Sequence, residues 1–179
     1  MHPRLAAVIE FSDKARAELL ATVEAVPEPL REARPSEDAW SVAEIVEHLT
    51  MVERSVAKLV ALKGGELQSQ AAPPHEAPDM VPVDLSRFFR DRSTRMQAPE
   101  RVVPRGEMAA AEALTALIQT RGMLLDQLHT VDGLALSTIS HPHPFFGPLD
   151  LYEWVQMLGW HELRHAEQIR EVAQQLSPH

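Results

Sequence analysis

The sequence contains no cysteine, and this absence excludes several kinds of site at once. Disulfide bridges, iron–sulfur clusters and thiolate metal ligands all require cysteine, so this chain can supply none of them. Any metal ion bound by its 179 residues would have to be held by histidine and carboxylate side chains.

Long apolar runs and an excess of basic residues are also absent. No stretch approaches the ~20 apolar residues of a membrane-spanning helix, and the N-terminus lacks a signal-peptide pattern. The formal net charge is −9, whereas a nucleic-acid interface normally needs a basic patch. We therefore expect a cytoplasmic protein that binds neither membranes nor nucleic acid, with a single domain large enough for a sizeable core.

Apolar residues recur at spacings of three and four in four segments, and this periodicity predicts an all-α chain. Pro27 and Pro29 end the first segment, and Ser41-Val42-Ala43-Glu44 begins the second as a capping box. The pair Gly64-Gly65 is expected to stop the second helix. The helices are predicted at roughly 4–26, 41–63, 107–129 and 149–176 within one domain that covers residues 1–179.

A long proline-rich stretch, residues 64–105, separates the second predicted helix from the third. A connection of this length can run back along the molecule and make those two helices parallel, which predicts a four-helix bundle with one long central crossover. A short helix is plausible over residues 84–96. Its arginines either form a solvated face, which we favour, or face an anionic substrate; they are Arg87, Arg90, Arg92 and Arg95.

The last predicted helix has histidines where its apolar stripe calls for core residues. His161 and His165 lie four residues apart, so their imidazoles point in the same direction. His48 lies at the inner edge of the stripe of the second helix. Neutral imidazole is a common metal ligand, and three protein ligands leave one coordination position open, as in catalytic sites. The alternative is that these histidines are hydrogen-bonded or half-exposed and hold no metal.

The run His161-Glu162-Leu163-Arg164-His165 also matches the HExxH motif of zinc proteases. The extended form of that motif needs glycine and histidine where this chain has Gln168 and Glu171, so we do not favour a peptidase. Glu162 is either a general base that acts on a metal-bound water or a surface carboxylate.

Three further polar residues are candidates for the surroundings of the site. Gln168 follows His165 by one turn, and it either orients that ring or satisfies a backbone group in the core. His141 and His143 precede the last helix, in a segment with too many prolines to be helical. These two histidines either line the mouth of the site or are simply exposed, which we favour.

The pattern from Trp40 to Leu49, together with His141-Pro142, Phe146-Gly147-Pro148 and the run from His161 to Ile169, resembles the DinB-like (YfiT-like) superfamily. The resemblance covers both halves of the chain. It implies a four-helix bundle, often dimeric, that binds a divalent metal. It places the metal triad of the family on His48, His161 and His165.

Some members of this superfamily are transferases of low-molecular-weight thiols or thiol-dependent isomerases, and many have no assigned activity. The resemblance thus implies a homodimeric, metal-dependent enzyme that uses such a thiol against small electrophilic molecules, with zinc or nickel as the first candidates for the metal. The alternative is a non-catalytic metal-binding protein with a stress or interaction role. Neither the substrate nor the native metal follows from the sequence, because three histidines accept several ions.

Overall fold

The computed structural model describes residues 1–78 and 97–177, and within these ranges the chain forms a bundle of four long α-helices. None of them combines the length and apolarity that a membrane crossing requires. The predicted four-helix bundle is confirmed. The short helix expected over residues 84–96, with Arg87, Arg90, Arg92 and Arg95, lies outside the described residues. The helices are α1 (Pro3–Glu24), α2 (Val42–Gln68), α3 (Ala110–Thr130) and α4 (Leu151–Leu176).

Helices α1 and α4 run parallel to each other. Near the start of both helices, Arg4 Nη2 donates to Oδ2 of Asp150 over 2.8 Å. Towards their ends, Arg170 Nη2 donates to Oγ1 of Thr22 over 3.0 Å. These contacts at both ends fix the two helices in one register.

Helices α2 and α3 are also parallel, as the long connection predicts. The backbone N–H of Gly106, just before α3, donates to Glu47 near the start of α2 over 3.1 Å. At the other end, Gln68 donates to the carbonyl of Thr130 over 3.3 Å. Since Val23 at the end of α1 and Val42 at the start of α2 belong to the same apolar cluster, the bundle consists of two parallel pairs that run in opposite directions.

The core consists of two clusters of buried apolar side chains. One cluster includes Leu5 of α1, Val60 of α2 and Leu151 of α4, and the other includes Leu19 and Ile169 at the opposite end. Burying such side chains stabilises the fold by about 1.5–3 kcal/mol each. The middle of every helix, between these clusters, carries a buried charged residue; these are Arg16, Glu53, Arg121 and Glu162.

Helix α2 does not stop at the glycine pair, so the expectation that Gly64-Gly65 ends it was wrong. The helix continues to Gln68 and is capped by Ser69. A Cβ atom on Gly64 would lie 2.5 Å from Cγ1 of Val131, so glycine is required there for close packing against the end of α3. Helices α3 and α4 begin at Ala110 and Leu151, three and two residues later than expected.

A two-stranded antiparallel hairpin lies directly before α4, and the sequence did not predict it. Strand β1 (Ser140–His143) pairs with β2 (Gly147–Asp150), with His143 opposite Gly147. Proline is tolerated because a two-stranded ribbon consists only of edge strands. Gly147 has φ of +75°, a backbone conformation that favours glycine. The hairpin ends where Asp150 caps α4 in a capping box with Glu153.

Replacement of the two adjacent glycines of α2 by alanine should have opposite effects on stability. We expect Gly64→Ala to lower the free energy of unfolding by about 1–3 kcal/mol, because the new methyl group overlaps Val131. Gly65→Ala is the matched control, since its Cβ would meet no atom within 4 Å and should gain about 0.5–1 kcal/mol from helix propensity. Urea unfolding measures both, and equal effects would contradict the packing explanation.

Candidate metal centre

Helices α2 and α4 bring three histidine side chains to one point. Nε2 of His161 lies 3.3 Å from Nε2 of His48 and 3.0 Å from Nε2 of His165. A zinc ion bound tetrahedrally at about 2.0–2.1 Å would hold its ligand nitrogens about 3.3–3.4 Å apart. In the described part of the chain, this is the one group of three or more histidine or acidic residues that could hold a metal ion. The spacing therefore fits a single small cation.

Hydrogen bonds to the outer ring nitrogens determine which way two of these imidazoles face. Nδ1 of His48 lies 2.7 Å from the carbonyl of Val102, which can only accept, so Nδ1 carries the proton. Nδ1 of His165 lies 2.8 Å from Oε1 of Gln168 in the same arrangement. Both rings therefore direct Nε2 lone pairs towards His161. A proton on Nε2 of His161 could hydrogen-bond to only one of these two lone pairs. A cation, by contrast, would bind the Nε2 lone pairs of all three histidines.

The surroundings also keep two of these imidazoles in the neutral form that binds metals. Burial lowers the pKa of His48, although its hydrogen bond to Val102 acts in the opposite direction. Burial lowers the pKa of His161 well below its usual value, and the neighbouring His165 and His48 lower it further. Both groups therefore stay deprotonated at neutral pH, and metal binding does not require the loss of a proton from them.

Gln168 lies where the sequence suggested, as the hydrogen-bond partner that orients the ring of His165. Partners of this kind normally fix the tautomer and the orientation of a metal-binding histidine. The carbonyl of Val102 does the same for His48. No sequence pattern pointed to Val102, because its contribution comes from the backbone.

Glu162 belongs to a buried network of ion pairs. Its Oε1 accepts from Nη2 of Arg16 over 2.6 Å and from Nη2 of Arg121 over 3.0 Å. Glu53 binds the same two arginines, at 2.7 Å from Arg16 and 2.6 Å from Arg121. Each of the four helices thus contributes one buried charged residue, and the more exposed Asp13 of α1 adds a further ion pair to Nη1 of Arg121 over 3.0 Å.

Neither expected role of Glu162 agrees with this position. The residue is 2% exposed, so it is not a surface carboxylate. Burial raises its pKa, and Arg16 and Arg121 lower it; both arginines bind Oε1, while the buried Oε2 has no hydrogen-bond partner among the described residues. Glu162 also lies outside the lining of the cavity described next. Its observed contacts are ion pairs that join α4 to α1 and α3.

A large cavity of about 1230 Å³ opens onto the three histidines. Small-molecule sites usually have volumes of ~300–1,000 Å³, so this cavity has room for more than one small ligand. The hairpin forms part of its wall, and His141 and His143 are both half-buried there. The favoured expectation that these histidines are simply exposed was therefore wrong, because both side chains are half-buried against the cavity.

Two further residues line the cavity without having been predicted to do so. Trp154 belongs to the core, but it also faces the cavity and donates from Nε1 to the carbonyl of His141. Arg101 lies in the connection before α3 and had no recognisable motif around it.

The architecture and the site together define a class of protein: a four-helix bundle with a three-histidine candidate metal centre beside a cavity. Comparison with known sequences specifies the family. The sequence profile of the DinB superfamily matches residues 12–169, so the chain belongs to the DinB superfamily.

Two individual proteins illustrate this relationship. The Bacillus subtilis (strain 168) protein named "Uncharacterized protein YuaE" is 22% identical over 165 residues, which cover 92% of this chain and 96% of that protein. The crystal structure of TT2238, a four-helix bundle protein, aligns with a TM-score of 0.59 and 20% identity over 93% of this chain and 98% of that one. At this level of identity, the second similarity shows the fold alone.

The histidine cluster should bind about one equivalent of zinc or nickel. We expect elemental analysis to find this metal in the wild-type protein and to find it lost in His48→Ala, His161→Ala and His165→Ala, with helix content retained by circular dichroism. His129→Ala is the matched control, because His129 is exposed at the end of α3. Gln168→Ala should weaken metal binding about 10–100-fold, because it frees the ring of His165. A metal-free wild type that takes up none on dialysis would contradict the assignment.

The main expected effect of Glu162→Gln is a loss of stability. Loss of one carboxylate leaves buried arginine charge unpaired, so we expect the free energy of unfolding to fall by about 3–5 kcal/mol. Glu167→Gln on the same helix is the control, because Glu167 makes an ion pair with Arg170 while 55% exposed, and its loss should change stability by less than about 1 kcal/mol. Unchanged stability of Glu162→Gln, measured by urea unfolding, would restore a chemical role for this residue.

Proposed function

We propose that this protein is a divalent-metal-dependent transferase that joins a low-molecular-weight thiol to a small electrophilic molecule. The observation that carries the proposal is the convergence of three histidine Nε2 atoms beside a cavity of about 1230 Å³. The histidines are His48, His161 and His165.

The number of ligands favours catalysis over storage or a purely structural site. Structural zinc sites are normally closed by four protein ligands, whereas catalytic sites use three and leave a position for water or substrate. The cluster in the described part of the chain has three members, and the cavity lies next to them. A non-catalytic metal-binding role is the alternative, and it would leave the cavity without a use.

A thiol nucleophile must come from a second molecule, because the chain has no cysteine. A divalent metal held by the three histidines would act as a Lewis acid and lower the pKa of a coordinated water or thiol towards neutrality. The cavity exceeds the usual volume for one small ligand, so it can take the thiol and the electrophile together.

The residues around the site have complementary tasks in this proposal. Val102 and Gln168 hold the rings of His48 and His165 in the tautomer that can bind the metal. Apolar side chains such as Phe146 and Trp154 line part of the cavity, and exclusion of water beside them would strengthen electrostatic interactions with the thiol. In the reaction, sulfur forms a bond to an electrophilic carbon, the thiol proton passes to solvent, and the bond from that carbon to its leaving group breaks.

The test is a thiol-transfer assay with protein loaded with zinc or nickel. Glutathione and cysteine serve as thiols and monochlorobimane as a fluorogenic electrophile, which releases chloride when the sulfur bonds to it. We expect a metal-dependent rate above the uncatalysed reaction that falls at least about 100-fold in His161→Ala and is unchanged in His129→Ala. Stoichiometric metal without any rate enhancement across a panel of thiols and electrophiles would favour the non-catalytic alternative.

A further inference from the structure

His143 is held between aromatic rings on the wall of the cavity. Its ring stacks on Phe146 with centroids 4.5 Å apart and an angle of 11° between the planes. On another side lies Trp154, with its ring centroid 4.9 Å away. All three residues line the cavity that contains the candidate metal centre. The hairpin and the first turn of α4 therefore form an aromatic cluster on the cavity wall, with the imidazole of His143 held between Phe146 and Trp154.

The tautomer of His143 follows from one backbone contact. The N–H of Phe145, which can only donate, points to Nδ1 of His143 over 3.2 Å. Nδ1 therefore carries a lone pair, and a neutral ring has its proton on Nε2. Burial and the charge of Arg101 lower the pKa of His143 to about 4, so the ring is neutral at physiological pH. Within residues 1–78 and 97–177, no hydrogen bond is made by this Nε2–H group.

Arg101 supplies positive charge to the same region. Its side chain is exposed, lines the cavity, and makes no ion pair with any described residue. Three basic and two acidic residues of the described chain line the cavity, although the chain as a whole carries a formal charge of −9. These residues are Lys58, Arg101, Arg164, Asp38 and Glu171. The cavity is thus less acidic than the rest of the protein and can accept an anion.

We propose that Arg101 and His143 form a subsite for the carboxylate of an aromatic acid, whose ring packs against Phe146 and Trp154. Arg101 provides the charge, and Nε2–H of His143 donates a hydrogen bond to one carboxylate oxygen. We assign an aromatic ring to the ligand because aromatic rings pack favourably against one another, as they would here against Phe146 and Trp154. That the electrophile of the reaction occupies this subsite rests on the proposed thiol transfer. That the subsite binds an aromatic carboxylate does not.

Binding of benzoate to the protein, with and without bound zinc, tests the subsite by calorimetry. We expect the Kd to rise about 10-fold in Arg101→Gln and in His143→Phe, because each loses one charge-assisted hydrogen bond. His143→Phe keeps the aromatic wall, and Arg101→Gln alters an exposed side chain that the fold does not need. Lys58→Gln is the matched control, since it removes a basic residue from the same cavity and should change the Kd less than about twofold.

Two further probes separate the carboxylate from the ring and from the thiol. Benzyl alcohol, which has the ring alone, should bind more weakly than benzoate and equally well to wild type and Arg101→Gln. S-Methylglutathione has carboxylates without an aromatic ring, and it should not displace benzoate. If S-methylglutathione displaces benzoate from the wild type but not from Arg101→Gln, the subsite belongs to the thiol instead, and the aromatic-acid proposal is overturned.

Three other outcomes would also overturn the subsite proposal: no binding of benzoate, equal effects of Arg101→Gln and Lys58→Gln, or binding that requires zinc and is unaffected by Arg101→Gln.

Nitrogen NMR of His143 tests separately which ring nitrogen carries the proton. We expect the Nε2–H tautomer at neutral pH, with protonation only near pH 4, and an Nδ1–H tautomer would contradict the proposed hydrogen bond. None of these measurements involves thiol transfer, so the subsite and the proposed reaction can fail independently.

Discussion

The arrangement of the bundle depends on the buried ion pairs among Arg16, Glu53, Arg121 and Glu162, one residue from each helix. An unpaired charge in such a position costs about 3–5 kcal/mol, which is a large fraction of the stability of a domain. Sliding one helix by a turn would separate its charge from both partners, so the network selects one register for all four helices. Apolar side chains alone would tolerate such shifts better, because hydrophobic contacts are not directional.

This register determines the geometry of the candidate metal centre. Glu53 lies five residues after His48 on α2, and Glu162 directly follows His161 on α4. The same ion pairs that align Glu53 with Glu162 therefore bring the imidazoles of those two helices together, with Nε2 atoms 3.3 Å apart. The placement of Glu162 beside a metal-binding position thus has a structural explanation, and it needs no comparison with the HExxH motif of proteases.

Periodicity and residue spacing were enough to predict the four helices and to make His48, His161 and His165 candidate ligands, because helical stripes and an i, i+4 pair are local or repetitive features. The grouping of all three into one site also depended on the resemblance to the DinB-like superfamily, and the structure brings them together. The ion-pair network could not be predicted in this way, since Arg16 and Glu162 are 146 positions apart and no local pattern pairs them. The glycine pair in α2 was misread for a related reason. Its local signal favours a helix end, but close contact of Gly64 with Val131 decides its role.

Backbone hydrogen bonds distinguish two kinds of histidine around the cavity, although the side chains are chemically identical. The carbonyl of Val102 places the proton of His48 on Nδ1, so that Nε2 can bind a cation. The N–H of Phe145 has the opposite effect on His143, whose Nε2 becomes a hydrogen-bond donor. Sequence motifs identify histidines but not their tautomers, which depend on whether a carbonyl or an amide lies next to the ring. The connection before α3 and the hairpin before α4 therefore determine which histidine presents an Nε2 lone pair and which presents an Nε2–H donor.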